Sequence, residues 1–181
     1  MFSIVTTIVV TMLFSCESNF KKVQQIGVLQ NEPIGEAKNI NVKYTEAIDS
    51  IAKVIANLES PKMLDYSNRD FSFQEFPDGV RLTLFDENNQ KNVVLADYAI
   101  VYKATDLIDL QGNVILITPQ NDSLFAEQLY YDKGNKWLFS NLPVRLKSIT
   151  ANNAHGDIFD SDTKFKNYTI LEGRGDMILK D

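Results

Sequence analysis

From Val80 to Leu146 apolar residues fall on every second position, and polar turn clusters break the pattern roughly every 8 to 14 residues. Val80, Leu82 and Leu84 alternate with Arg81 and Thr83 before "DENNQKN". Val94, Ala96, Tyr98 and Ile100 form one face of the next expected strand, which ends at "KATD". Ile108, Leu110, Gly112, Val114 and Leu116 form one face of a longer strand ending at "PQND". Leu124, Ala126 and Tyr130 follow, then "DKGNK", then a strand from Trp137 to Leu146. Side chains of a strand alternate between its faces, so this period sets one apolar face against a core. After residue 60 no stretch sustains an apolar period of 3.6. Such a chain can fold only as an all-β sandwich, roll or barrel.

The alternating stretch also repeats. With Ala96 set on Ala126, Asp97 falls on Glu127, Lys103 on Lys133, Leu107 on Trp137, Val114 on Val144 and Leu116 on Leu146. A third copy starts at Ala154, with Ile158 on Ile100 and Phe165 on Leu107. A period near 30 in strand-turn-strand units predicts stacked antiparallel hairpins, each burying its inner face against its neighbours. Ala96, Ala126, Ala154 and Gly112 place small residues at repeated inner positions, which leaves room for something other than protein.

The segment from Asn39 to Pro61 is ambiguous by itself. Ile48, Ile51, Ala52 and Ile55 fit one face of a helix, whereas Ile40, Val42 and Tyr44, then Ala52, Val54, Ala56 and Leu58, fit two strands around Asp49-Ser50. The strand-rich context favours two strands.

The first fifteen residues carry no charge and end at Ser15-Cys16. The run is shorter than the about 20 residues a membrane-spanning helix needs, and it suits the core of a signal peptide. A small residue before a cysteine is the pattern of a lipoprotein cleavage site, so residues 1–15 are expected to be removed and Cys16 acylated; a buried core cysteine is the other reading. No Lys or Arg precedes the apolar core. Residues 16–37, with Pro33 and two glycines, read as the lipidated N-terminus and a tether. Extended, its last 21 residues reach up to ~70 Å. Residues 38–181 form the folded domain. Cys16 is the only cysteine, so no internal disulfide forms.

Little points to catalysis. His155 is the only histidine and lies in the turn-like "NNAHGD"; without a second histidine or a spare cysteine it cannot build a typical zinc site. "DENN" (86–89) and "DSDT" (160–163) carry carboxylates without the spacing of an EF-hand loop, and they suit solvated hairpin turns. "EGRGD" (172–176) contains Arg-Gly-Asp where a bulge or turn is expected, and Asn167-Tyr168-Thr169 fits a glycosylation acceptor that is frequent by chance. The expectation is no enzyme, no metal and no cofactor. The formal net charge of −6, with no basic run longer than Lys21-Lys22, excludes a nucleic-acid face of the usual kind.

An apolar leader, a tether, and then "SPKMLDY" (60–66), "EFPDGV" (75–80), "ADYA" (96–99), "LQGNV" (110–114) and "EQLYYD" (127–132) resemble, in order and spacing, the LptC family of lipopolysaccharide-export proteins. The chain is most similar to its lipid-anchored, Bacteroidetes-type members. The likeness runs over about residues 38 to 179. It implies a twisted open β-jellyroll (OstA-like) in the periplasm, anchored to a membrane, the inner one by preference. It further implies that the domain takes lipopolysaccharide from an inner-membrane ABC transporter complex and passes it to a soluble jellyroll protein docked edge to edge. Better-known members are held by a transmembrane helix; here Cys16 stands in its place. The acyl chains are expected against Leu82, Leu84, Ala96, Tyr98, Ile100, Leu110, Val114, Leu116 and Tyr130. Each buried CH₂ gains ~0.8 kcal/mol, so one fourteen-carbon chain gains roughly 10 kcal/mol at most, and a carrier must bury such chains only in part to release them. The last strands end two residues from the C-terminus and leave an unpaired edge, with Tyr168, Ile170, Met177 and Leu179 facing a docking partner by strand addition. The competing reading is a lipid-anchored scaffold or adaptor of the envelope with a filled interior and no cargo.

Overall fold

The computed structural model describes residues 32–48, 51–86, 88–149, 153–165 and 167–175. They form strands β1 (Gly35–Ile48), β2 (Ile51–Tyr66), β3 (Phe73–Phe76), β4 (Val80–Phe85), β5 (Lys91–Ala96), β6 (Tyr98–Tyr102), β7 (Leu107–Ile117), β8 (Ser123–Asp132), β9 (Trp137–Ser140), β10 (Val144–Lys147), β11 (Ala154–Gly156), β12 (Ile158–Asp162), β13 (Tyr168–Leu171) and β14 (Arg174–Gly175). The all-β jellyroll expected from the alternation is what forms. The ambiguous N-terminal segment is two strands in antiparallel register, Val42 opposite Leu58 and Tyr44 opposite Ala56. β1 begins at Gly35, inside the stretch read as tether. The glycines and Pro33 there suggest loop, but pairing with β2 through Gly35–Asp65 and Glu36–Leu64 overrides local propensity.

All fourteen strands join one sheet, and that sheet is folded into two leaves. The long strands belong to both. β2 pairs with β4 over Ala56–Glu59 but with β3 over Leu64–Tyr66. β7 pairs with β6 over Leu107–Gln111 but with β5 over Ile115–Ile117. β8 pairs with β10 over Ser123–Ala126 but with β9 over Tyr130–Asp132. One leaf therefore holds β4, β5, β10, β11 and β14 with one half of each long strand, and the other holds β3, β6, β9, β12 and β13 with the remaining halves. Strands that change leaf at a bend or bulge are the corners of a folded sheet.

The corners explain the sequence repeat. Asp97 separates β5 from β6, Glu127 sits where the β8 register slips, and Asp157 separates β11 from β12, each thirty residues from the last. Midway between them lie the Gly112-Asn113 bulge, the Asn141–Pro143 break and the Glu172-Gly173 turn. The hairpin tips share the spacing: Asp106, Asn121 and Lys136 all adopt positive φ, 55°, 64° and 54°. The repeating unit is thus one fifteen-residue pass from tip to bend, and the thirty-residue repeat is two passes. The bends are built chemically. At the best defined one the Asp97 N–H donates to the Gly112 carbonyl at 3.0 Å, and Asn113 Nδ2 donates to the Asp97 carboxylate at 2.6 Å. Gly112 has φ +72°, and a Cβ there would lie 3.2 Å from that of Asp97, so glycine is favoured at this position.

Two expected strands are corrected by these corners. Val94 to Ile100 is two strands in different leaves, because Asp97 turns the chain between them. Trp137 to Leu146 is also two, because Pro143 has no N–H to continue the ladder. Between the leaves lies a single apolar core. Leu58, Leu82, Leu84, Val94, Leu116, Leu124, Val144 and Leu146 come from one leaf, and Phe76, Val101, Ile108, Leu110, Leu129, Tyr131, Leu138 and Phe159 from the other. None is more than 3% exposed.

Burial reaches tyrosines as well. Tyr44 packs against this core, and burial, aided by the nearby Asp106 charge, pushes its hydroxyl up to about 12. Burial likewise raises Tyr131. A folded-state pKa above the unfolded value of about 10 gives stability that is whole below pH 10 and is lost as pH climbs through the folded value. Thermal unfolding should therefore shift to lower temperature progressively between pH 10 and 12, and Tyr44→Phe should flatten that slope. An unchanged slope in the variant would mean that Tyr44 does not carry it.

Candidate functional site

The apolar interior and the free sheet edges are two features of this fold that can hold another molecule. The interior is continuous. Cross-strand partners carry it strand by strand from Leu58 to Leu82, Val94, Leu116, Leu124 and Leu146. In the second leaf it runs from Ala99 to Leu110 and Leu129, and from Ile108 to Tyr131 and Leu138.

Of the nine residues expected to face one apolar groove, six point into this interior. Leu82, Leu84, Ala96, Leu110, Val114 and Leu116 are buried there, Ala96 the most exposed at 7%. The other three do not share their face. Ala99 opposes Leu110 in the β6–β7 ladder, so Tyr98 and Ile100, one residue to either side, lie on the outer face opposite Gln111 and Asp109. Tyr130 opposes Asp109 and lies there too. The reason is the corner. Asp97 shifts the phase, so that Ala96 is inward in β5 and Ala99, not Tyr98, is inward in β6. β8 shows the same effect: Leu124 and Ala126 face the core before the slip, and Leu129 and Tyr131 after it. A period of two cannot be carried through a bulge.

The outer face of the second leaf is aromatic and polar. Tyr98 donates its hydroxyl to Glu75 at 2.8 Å, and burial together with this carboxylate raises its pKa. Asp109, 5% exposed, accepts hydrogen bonds from Gln111 and Gln128, both at 2.8 Å. Gln128 also donates to the Tyr130 hydroxyl at 2.7 Å, and Tyr130 stacks on Phe139 with ring centroids 4.9 Å apart. Both carboxylate oxygens of Asp109 are occupied by the two glutamine amides, which suits a structural network.

Two edges are unpaired among the described residues, β1 on one side and β13 with β14 on the other. Of the residues expected at the docking edge, Tyr168 is exposed at 46% and Ile170 packs against the core. Two residues apart in β13, they share a face opposite Phe159 and Ser161: Ile170 lies over the core, and Tyr168 lies at the open end of the strand beside Phe165, ring centroids 6.0 Å apart. Met177 and Leu179 lie outside the described residues, as does Cys16. Strand β14 ends the edge by pairing with β11, Ala154 opposite Gly175 and His155 opposite Arg174.

The remaining motifs have local roles. Asp86 of "DENN" caps its turn, accepting the N–H groups of Asn88 and Gln90 at 2.8 Å. Asp162 of "DSDT" accepts from Asn167 Nδ2 at 3.0 Å. "EGRGD" begins in the tight turn between β13 and β14, where Glu172 has φ +54°. His155 is exposed in β11, beside Arg145 of β10, whose guanidinium lies 4.8 Å from the Phe125 ring.

Sequence reasoning missed one group of residues. Glu46, Asn92, Lys133, Lys136 and Thr163 come from four hairpins and meet where the tips of one leaf touch the other. Lys136 Nζ binds Glu46 at 2.5 Å, Lys133 Nζ sits 4.5 Å from the Tyr44 ring centroid, and Asn92 Nδ2 donates to the Thr163 carbonyl at 2.5 Å. No motif announces such contacts, because the partners are up to 90 residues apart.

No curated protein matches the sequence. The family model described as "Lipopolysaccharide-assembly, LptC-related" matches residues 4–172. This match spans nearly the whole chain and agrees with the folded jellyroll: the chain belongs to the LptC-related family and is a component of periplasmic lipopolysaccharide transport.

Proposed function

We propose that the domain takes lipopolysaccharide from an inner-membrane ABC transporter complex and passes it to a soluble periplasmic jellyroll, the acyl chains travelling between the two leaves. The observation that carries this reading is the apolar interior, which runs through both leaves towards an edge where another sheet can continue it; the two serines buried on its way, Ser140 and Ser161, have their hydroxyls bonded to the Leu142 and Asp162 carbonyls. Lipid transfer needs a mostly apolar path with no unpaired polar group in it, since each stranded CH₂ costs about 0.8 kcal/mol. The docking edge for the soluble partner is β13 with β14, where backbone pairing supplies affinity and Tyr168 supplies register. The anchor is the acylated Cys16, with residues 1–15 removed, and the inner membrane holds it.

One observation favours a second reading. The inward residues are so well covered that the interior is filled by the chain's own side chains, as in an anchored envelope scaffold that carries no lipid.

Photo-crosslinking separates the two. A benzoyl-phenylalanine at Val114 or Leu110 should capture lipopolysaccharide in living cells, and one at Ile100 or Tyr130, on the outer face, should not. Equal capture at both sets, or none at Val114 and Leu110, would reject the lipid path. The anchor has its own test: Cys16→Ala should leave most of the protein outside the membrane pellet, and a free Cys16 thiol in the mass of the native protein would reject acylation.

A further inference from the structure

The filled interior sets a problem for a lipid carrier, because an acyl chain needs a place to enter. The two leaves meet on opposite sides in different ways. On the bend side they are covalently continuous, since β1, β2, β7 and β8 pass from one leaf to the other. That side is also stapled, by Asp97 with Gly112 and Asn113 and by Ser60, whose hydroxyl donates to the Gly79 carbonyl at 2.7 Å. On the tip side no strand crosses among the described residues, and polar contacts join the leaves there, among them Glu46 with Lys136, the Tyr44 ring with Lys133, and Asn92 with Thr163.

These contacts are polar, whereas the packing between the leaves behind them is apolar. The Glu46–Lys136 pair is open to water, so its loss costs little, while the Lys133 side chain is only 15% exposed. Glu46 and Lys136 keep 40% and 46% of their side-chain surface exposed, and ion pairs this wet contribute at most about 1 kcal/mol. Closure also strands a polar atom. Asn92 is 3% exposed, and its Oδ1 is buried with no hydrogen-bond partner among the described residues. Parting the leaves would hydrate that oxygen, which removes a cost of the closed state. A cavity of about 50 Å³ adjoins these contacts, lined by the charged Glu46, Lys53, Asp86, Lys136 and Lys164 together with the core residue Tyr131.

We propose that this tip side is the mouth through which acyl chains enter: the leaves part at Glu46–Lys136, Tyr44–Lys133 and Asn92–Thr163 and hinge on the bend line. The proposal rests on the lipid-carrier reading above. It explains how a domain with a filled interior takes up cargo, because the entering chain replaces apolar contacts that opening removes.

The test uses the full-length protein with a photo-crosslinker at Val114 and purified lipopolysaccharide as the probe. With Cys16 present in all samples, Glu46→Cys with Lys136→Cys is bridged by a short bis-maleimide. Asp97→Cys with Asn113→Cys is bridged in the same way as a control across the bend, and each pair capped with a monofunctional maleimide shows the effect of substitution alone. Bridging the mouth should cut labelling at Val114 at least tenfold, and bridging the bend should leave it within twofold. Glu46→Gln, which weakens the latch without closing it, should speed the onset of labelling by up to about fivefold. Undiminished labelling with the mouth bridged, or equal loss from both bridges, overturns the mouth and leaves the carrier reading in place. Absence of labelling in the capped proteins overturns both.

Discussion

Leu110→Asp should leave the domain unfolded at 25 °C, whereas Ile100→Asp should yield a folded protein with a cooperative urea transition. The two positions are ten residues apart and both apolar, yet they lie on opposite faces. Leu110 is fully buried against Leu129 and Ala99. Shortening such a side chain alone costs about 2–5 kcal/mol. A carboxylate there would add several kcal/mol of desolvation, with no partner to offset it. Together these approach or exceed the roughly 5–15 kcal/mol that hold a domain folded. Ile100 faces outward and keeps contact with water. A carboxylate there would sit between Glu75 and Asp109, so a loss from like-charge repulsion on the order of 1–2 kcal/mol is expected, within what a folded domain tolerates. Circular dichroism with urea titration reads both. Equal destabilisation would refute the assignment of faces, and with it the path proposed for the acyl chains.

Gly156→Val should release the C-terminal edge and abolish binding of the soluble jellyroll partner proposed above, while the domain stays folded. Gly156 is buried at the end of β11, against β13. A Cβ there would run into Ile170 and lie 2.6 Å from the Leu171 carbonyl oxygen. The carbonyl belongs to the backbone and cannot rotate aside, and it also receives the Asp157 N–H at 3.1 Å. The strand itself must therefore move away. Overpacking of this kind costs about 1–3 kcal/mol, which a terminal strand cannot absorb but the core can. Hydrogen exchange should show lost protection in β12–β13 and unchanged protection in β4, β5 and β7. Pull-down of the partner at full yield by this variant would mean that docking uses another edge.

The alternation between Val80 and Leu146 by itself determined an all-β fold with one buried face, because a period of two has one structural meaning. The order of the family's short segments was equally legible, since it survives as linear text. Even the bends left a trace: Asp97 and Glu127 stand in register in the first two copies, although nothing in one sequence says that they are corners, while the third copy, set on Ala154, puts His155 there, two residues before the actual corner at Asp157. What the tertiary structure decided was the phase after each corner. The Asp97 turn and the β8 slip reverse inward and outward within one or two residues, so Tyr98, Ile100 and Tyr130 left the predicted groove while Ala99, Leu129 and Tyr131 entered the core. It also decided the mouth. Glu46 and Lys136, or Asn92 and Thr163, become neighbours only when one leaf folds over the other, and a local pattern carries no information about which hairpin tips will meet. Periodicity reports the face of a single strand; the folding of a sheet upon itself fixes which faces and which tips come together.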